Sequence, residues 1–208
     1  MEMHTRELHL AGRSLKQANK ALIMLHGRGA NAGDILGLVP ELHVNDFAIL
    51  APQATNFTWY PHSFMAKTGQ NEPWLGSALA LLQEIVHNVE DQGIAAENTY
   101  FLGFSQGACL SLEFAARNAE RYGGVTAFTG GLIGDRIYRE RYSGDFGGMP
   151  VFISTGNPDP HVPLERIHET VHMLKEMHAN VTLQVYEGRP HTISEDEIRW
   201  ANQLIFRI

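Results

Sequence analysis

Short β-rich runs alternate along the chain with longer segments of helical periodicity, and this alternation narrows the fold more than any other feature. It is typical of a mostly parallel β-sheet with helices on both faces. Several of the runs are continuously apolar, as expected for strands buried on both sides. The candidate strands are residues 20–25, 46–51, 99–104, 124–129, 150–155 and 181–186. The sequence therefore predicts the α/β fold class.

Apolar stripes at helical spacing predict helices between these strands. In addition, Ser194 and Glu197 have the spacing of a capping box, which predicts that a final helix starts there. His191 would then lie on the loop between the last strand and the last helix. The stripes are formed by Leu79, Leu82, Val86 and Val89 in one segment and by Ile167, Val171 and Leu174 in another.

Size and composition predict a single globular domain over residues 1–208, because the chain is shorter than two average domains would need. The hydrophobic fraction of 44% and the charged fraction of 19% suit a packed protein. The net charge is −7 and no basic patch is evident, so nucleic acid is not an expected partner. A homodimer is left open.

Residues 1–7 lack the apolar core of a signal peptide, and no apolar stretch has the length of a membrane span. We therefore expect a cytoplasmic protein without stable membrane insertion. Cys109 is the only cysteine, which excludes an intrachain disulfide. Because it falls in a predicted buried helix, we interpret it as a small core residue.

A G-x-S-x-G sequence, Gly103 to Gly107, stands where an apolar strand gives way to a helical pattern. This is the context that an exposed nucleophilic serine on a tight turn requires, so Ser105 is the candidate nucleophile. The backbone N–H of Gln106 would then point to the place where an oxyanion forms. A second donor is assigned to the backbone N–H of Arg28, in the glycine-rich loop after the strand at 20–25.

A serine nucleophile needs a base, and the base needs an acceptor that fixes its tautomer. Asp159 follows the strand at 150–155 and His191 follows the strand at 181–186, in the order Ser, Asp, His. We predict that His191 is the base and that Asp159 orients it. Asp135 and Asp145 compete for the acid role, whereas His26 is interpreted as holding its loop by hydrogen bonds.

These motifs together resemble the phospholipase/carboxylesterase family, which includes relatives of acyl-protein thioesterases within the α/β-hydrolase superfamily. The resemblance covers almost the whole chain. It implies the α/β-hydrolase fold and a carboxylesterase, lysophospholipase or acyl thioesterase activity on small-molecule esters or thioesters. It also implies no metal and no organic cofactor. The matching segments are residues 25–29, 51–53, 103–108, 156–163 and 188–193.

Departures from the family pattern concern the substrate more than the chemistry. Arg28 stands where leucine is usual, and its side chain could contact an anionic substrate group or be solvated. Thr155 stands where histidine is common, and Arg189-Pro190 stand where a Met-Gly pair is frequent. The following residues are candidates for the substrate pocket, with ordinary packing as an equal alternative: Trp59, Tyr60, Phe64, Met65, Trp74 and Leu132.

A rival motif, H-E-x-x-H at residues 168–172, would by itself indicate a zinc metallopeptidase. An extended zinc motif needs a glycine where this chain has Lys175, so that the helix can break and bring His178 round. If the helix runs on through His178, that residue lies roughly 15 Å from His168 along the axis. A catalytically inactive binding protein with a hydrolase fold is the remaining alternative.

Overall fold

The computed structural model describes residues 3–207, so Met1, Glu2 and Ile208, at the ends of the predicted domain, lie outside the described residues. Over residues 3–207 the chain forms one seven-stranded sheet and five α-helices. The strands are β1 (Leu8–Gly12), β2 (Lys20–Leu25), β3 (Phe47–Pro52), β4 (Thr99–Phe104), β5 (Gly124–Phe128), β6 (Pro150–Asn157) and β7 (Asn180–Glu187). The helices are α1 (Ala32–Leu36), α2 (Trp74–Asp91), α3 (Gln106–Arg117), α4 (Leu164–Glu176) and α5 (Glu195–Leu204).

The sheet has the strand order β1-β3-β2-β4-β5-β6-β7, and only β1 is antiparallel to its neighbour among the described strands. The six predicted strands are all present, with ends that shift by at most two residues. The sequence analysis missed β1. This edge strand is half-buried at best, with Leu10 68% exposed, and its five residues, LHLAG, do not form a continuous apolar run.

Both faces of the sheet are covered, and the side chains of each central strand alternate between two cores. In β2, Ala21 and Ile23 pack on the side of α2, α3 and α4, whereas Leu22 and Met24 pack on the side of α1 and α5. Mostly parallel strands buried on both faces are what the apolar runs predicted. None of the helices within residues 3–207 is both long enough and apolar enough to cross a bilayer.

The structure tests two sequence signals, one for the start of α5 and one for the end of α4. The capping box at α5 is present, since the Ser194 side chain accepts from Glu197 N–H and the Glu197 carboxylate accepts from Ser194 N–H. In contrast, α4 ends at Glu176 and does not run on through His178, which takes a positive φ of 62°. The N–H of His178 donates to Lys175 O, so the residue terminates the helix.

Candidate active site

The carboxyl ends of the parallel strands bring the three predicted residues of the acyl-transfer site to one edge of the sheet. Ser105 follows β4, Asp159 follows β6 and His191 follows β7. The Ser105 Oγ lies 2.8 Å from His191 Nε2, and His191 Nδ1 lies 2.8 Å from Asp159 Oδ2. A continuous hydrogen-bonded chain therefore links a hydroxyl, an imidazole and a carboxylate.

Ser105 sits on a strained turn between β4 and α3, with φ 53° and ψ −115°. Its two flanking glycines have no room for a side chain. A Cβ at Gly103 would come within 2.3 Å of Gly107 O, and a Cβ at Gly107 would come within 2.1 Å of Leu25 O. The glycines of the G-x-S-x-G motif are thus required by close backbone approach, and the turn holds the half-buried Ser105 clear of its own helix.

Asp159 is held by three donors. Its Oδ1 accepts the N–H groups of His161 and Val162, both at 2.9 Å, while Oδ2 faces His191. Burial by itself raises the pKa of Asp159, but the hydrogen bonds from His191, His161 and Val162 together outweigh it and leave the pKa below the ordinary value. The side chain has no solvent exposure and is therefore a buried carboxylate stabilised in its ionised form.

The His191 ring lies between two other rings. Phe104 and His161 each have ring centroids 5.1 Å from that of His191, the first tilted and the second edge-on. The imidazole side chain retains 19% exposure towards the cavity. Neither neighbour was picked out from the sequence, although both lie inside the motifs that supplied Ser105 and Asp159.

In the described part of the chain, two residues whose backbone N–H groups lack a backbone acceptor line the same cavity as the serine. Gln106 is the first residue of α3, so its N–H has no intrahelical acceptor. Within residues 3–207 the N–H of Arg28 makes no backbone hydrogen bond, whereas the next residue, Gly29, donates to Phe57 O. Both Arg28 and Gln106 line the cavity beside Ser105. This arrangement is compatible with two donors to a developing oxyanion.

The Gln106 side chain has a role that the sequence did not indicate. It is buried, its Oε1 accepts from Trp59 N–H at 2.9 Å, and its Nε2 donates to Tyr60 O at 2.8 Å. These partners are backbone groups more than forty residues away, so no local pattern could have identified them. The amide ties the turn at Ser105 to the loop that carries Tyr60.

The cavity above Ser105 has a volume of about 460 Å³, within the usual range for small-molecule sites. Tyr60 and Phe64 line it, in agreement with their selection as pocket candidates. Residues that the sequence analysis did not select also line it: Pro61, His62, Ser63, Phe104, Pro160, His161 and Val162. Their loops come from separate parts of the chain, and only the fold brings them together.

Four of the six pocket candidates, Trp59, Met65, Trp74 and Leu132, lie outside the cavity lining. Trp59 is fully buried, where its indole N–H donates to His26 O at 2.9 Å. Trp74 begins α2 and packs against the ring of His4, 5.3 Å away between centroids. Leu132 is fully buried beside α4, and its N–H donates to Thr170 Oγ1. Packing beneath the loops therefore accounts for all three, and for Met65, a partly buried residue that packs against the core.

His26 holds its loop, as predicted. Burial is the main cause that lowers its pKa, which favours the neutral ring. Its Nε2 accepts the N–H of Ala54 at 3.1 Å, which assigns the ring proton to Nδ1, where Gly27 O lies at 2.8 Å. Cys109 is also buried, as expected, and burial raises the pKa of its thiol to about 12.

The rival acids and the rival metal motif are engaged elsewhere. Asp135 accepts from the Tyr138 hydroxyl, and Asp145 accepts from Gly147 N–H and contacts His178. Glu169 of the H-E-x-x-H motif pairs with Arg166. Across residues 3–207, no group of three or more His, Cys, Asp or Glu side chains is arranged to hold a metal ion.

The Arg28 side chain makes contacts that the sequence did not indicate. Its guanidinium donates to Pro61 O at 2.7 Å and to His62 O at 2.6 Å. It also lies 6.0 Å from the centre of the Tyr60 ring. The exposed arginine therefore fastens the cavity loop at residues 60–64 onto its own loop, which carries a candidate oxyanion donor.

We predict that Arg28→Leu lowers kcat/KM about 10-fold, and equally for neutral and anionic esters, because it releases the cavity loop from the loop that carries the candidate oxyanion donor. The two hydrogen bonds that it removes are worth roughly 1 kcal/mol each before discounting for exposure. The measurement compares p-nitrophenyl acetate with mono-p-nitrophenyl succinate. Arg28→Lys keeps the charge and serves as the control. A loss confined to the succinate in Arg28→Leu and restored in Arg28→Lys would instead show that the charge recognises substrate.

The sheet order and the strained strand-to-helix turn at Ser105 define an α/β-hydrolase fold. The family model described as phospholipase/carboxylesterase matches residues 12–206. A phospholipase/carboxylesterase from Dyadobacter fermentans is 55% identical in sequence, and its crystal structure matches with a TM-score of 0.98. The match covers 100% of this chain and 99% of that one. The chain therefore belongs to the phospholipase/carboxylesterase family.

Curated relatives are more distant. Acyl-protein thioesterase 1 of Candida albicans is 27% identical over 87% of this chain and 88% of its own length. Acyl-protein thioesterase 1 of Eremothecium gossypii is 29% identical over 75% of this chain, and the match spans 65% of that relative. The crystal structure of esterase PE8, with a TM-score of 0.80 at 21% identity over 95% of this chain and 96% of that one, shares the fold.

Proposed function

We propose that the protein hydrolyses carboxylic ester or thioester bonds through an acyl-enzyme on Ser105. The hydrogen-bonded chain from Ser105 Oγ through His191 to the buried Asp159 carboxylate is the observation that carries the proposal. A hydroxyl in this setting becomes nucleophilic when the imidazole takes its proton. Membership of the phospholipase/carboxylesterase family supports the same reaction class.

In the first half-reaction, Ser105 Oγ attacks the substrate carbonyl carbon as its proton passes to His191 Nε2. The carbonyl electron pair moves onto oxygen, and the N–H groups of Arg28 and Gln106 stabilise the resulting oxyanion. When the pair returns, the bond to the alcohol or thiol breaks, and the imidazolium gives that leaving group its proton. Asp159 stabilises the imidazolium and keeps Nδ1 protonated throughout.

In the second half-reaction, water takes the place of the serine as nucleophile. His191 accepts a proton from the water as the oxygen attacks the acyl carbon, and the same two N–H groups stabilise the second oxyanion. Collapse releases the acid and returns the proton to Ser105 Oγ. The reaction needs no redox step and no reactant other than the ester or thioester and water, so the residues named here and these reactants account for all of its bonds and protons.

The substrate pocket is mixed in character. Phe64, Phe104 and Val162 supply apolar surface to the cavity lining, whereas His62 and Ser63 are polar residues of the same lining. We propose small acyl esters and thioesters as substrates, because the cavity is of modest volume and opens to solvent over Ser105. The thioester arm is supported by relatives named acyl-protein thioesterase 1.

The test is a panel of p-nitrophenyl esters of increasing acyl length with matched acyl-coenzyme A thioesters, run alongside fluorophosphonate labelling and peptide mapping. We expect turnover of short esters, and labelling at Ser105 alone, with activity unchanged by EDTA. Labelling at another residue would reassign the nucleophile. Absence of both turnover and labelling would favour the inactive binding protein, and loss of activity with EDTA would restore the metal alternative.

A further inference from the structure

Glu197 is a fully buried carboxylate whose partners extend beyond the helix that it caps. Its Oε2 accepts the N–H of Ser194 at 2.8 Å, as the capping box requires, and also accepts the Ser194 hydroxyl at 2.9 Å. Its Oε1 accepts the hydroxyl of Ser154 in β6 at 2.5 Å. A buried charge is costly unless it is paired, and here the pairing cation is Arg189, whose Nη1 lies 2.9 Å from Oε2.

Arg189 lies two residues before His191, and its side chain is only 9% exposed. Besides Glu197, its guanidinium donates to Thr129 Oγ1 at 3.0 Å and to the carbonyl of Thr192. The Arg189 guanidinium thus bonds to the backbone of Thr192, so these two residues, on either side of the base His191, are linked to each other. The planar fork of arginine fixes the directions of these bonds in a way that a single-point donor cannot.

The arginine also connects the His191 loop to β5, which is hydrogen-bonded to Ser105, and to β6, which leads to Asp159. Thr129 directly follows β5, where Phe128 O accepts the N–H of Ser105 at 2.9 Å. Thr129 N–H donates to Ser154 O at 2.7 Å, and Ser154 lies on β6, which leads to Asp159. The backbone of Arg189 also packs closely against β6, because a Cβ on Gly156 would come within 2.5 Å of Arg189 O.

We propose that the buried Arg189–Glu197 pair is a positioning device that holds the His191 loop in register with β5, to which Ser105 is hydrogen-bonded, and with β6, which leads to Asp159. The inference rests on the proposed function. Buried ion pairs contribute little net stability compared with apolar packing, so a role in fixing geometry is the better use of one beside a catalytic loop. Arg199 is exposed and pairs with Asp196 on the same helix α5, so its replacement leaves the Arg189–Glu197 pair in place and provides a comparison.

The experiment compares wild type with Arg189→Met, Arg189→Lys and Arg199→Met in kcat and KM for p-nitrophenyl acetate. Fluorophosphonate labelling carried to completion counts folded sites, and its rate reports the reactivity of Ser105. Because misplacing a catalytic group by about 1 Å can cost on the order of 100-fold, we expect Arg189→Met to lower kcat per labelled site and the labelling rate about 10- to 100-fold. KM should change less than about 3-fold. The kcat per labelled site of Arg189→Lys should fall between those of Arg189→Met and wild type, and that of Arg199→Met should match wild type.

A second variant covers the case in which Arg189→Met does not fold. Thr129→Val removes the acceptor between the guanidinium and β5, leaves the Arg189–Glu197 pair in place and alters a residue outside the cavity lining. We expect its kcat to fall about 3- to 10-fold with KM unchanged, the effect of losing one positioning contact.

Unchanged kcat per labelled site in all the Arg189 and Thr129 variants, with only the melting temperature lowered, would overturn the positioning role while the proposed function stands. A rise in KM at constant kcat would overturn it as well, because it would indicate substrate binding. Wild-type protein with neither turnover nor labelling would overturn both proposals together.

Discussion

Ser105→Ala is expected to lower kcat for p-nitrophenyl acetate by about 10⁴- to 10⁶-fold, because acyl transfer through the enzyme has no substitute for the attacking oxygen. The variant keeps the side chain's Cβ and loses only the hydrogen bond to His191. The strained φ of 53° is already tolerated by a residue with a Cβ, so alanine adds no new backbone clash. Turnover of the purified variant over the buffer background is the measurement.

The matched control is Ser111→Ala. Ser111 lies on α3, the helix that follows the turn at Ser105. It is fully buried, and its hydroxyl donates to Gly107 O at 2.9 Å. It therefore tests the loss of a serine hydroxyl from the same helix without touching the reaction. We expect its kcat to stay within about 3-fold of wild type, since a single internal hydrogen bond contributes about 1 kcal/mol to stability. A Ser105→Ala protein with a tenth or more of wild-type turnover would rule out the acyl-enzyme mechanism.

Asp159→Asn is expected to lower kcat by about 10³- to 10⁴-fold at neutral pH. The structure dictates how the amide must sit. The oxygen of the new side chain will keep the place of Oδ1, where two backbone N–H groups from His161 and Val162 need an acceptor. The NH₂ group then faces His191 Nδ1 and donates to it, which leaves the ring proton on Nε2. In that tautomer, His191 cannot accept the proton of Ser105.

The control variants for this prediction are Asp135→Asn and Asp145→Asn, which alter the two rival acids at exposed positions. Both should retain wild-type kcat. If either of them lost activity while Asp159→Asn kept it, the assignment of the acid would be wrong. A crystal structure of Asp159→Asn would show directly whether the amide nitrogen faces His191.

Acid stability gives an independent readout on Asp159. Its folded pKa is lowered below the unfolded value of about 3.9, so the unfolded state binds more protons near that pH. The carboxylate therefore stabilises the wild type above about pH 4, and this contribution is lost as the pH falls through the folded pKa. Asparagine does not titrate, so urea unfolding of Asp159→Asn should depend less steeply on pH between about 3 and 5.

The sequence by itself determined the features that depend on neighbours along the chain. Apolar runs predicted most of the central strands, because a strand buried on both faces has no polar side to interrupt it, whereas the partly buried edge strand β7 was predicted from its β-rich composition. The glycines around Ser105 predicted the tight turn, and Ser194 with Glu197 predicted the start of α5. The order of Ser105, Asp159 and His191 at strand ends then indicated one edge of a parallel sheet, where the structure brings the three together.

Only the tertiary structure decided which side chains meet across long separations. Arg28 reaches carbonyls 33 and 34 residues away, and Arg189 reaches Thr129 across 60 residues, so periodicity and spacing carry no signal for either contact. The same reason explains why the sequence analysis could not tell which of Trp59 and Tyr60 lines the cavity. The two are adjacent in sequence and equally aromatic, yet the fold directs Trp59 into the core against His26 and sets Tyr60 against the cavity.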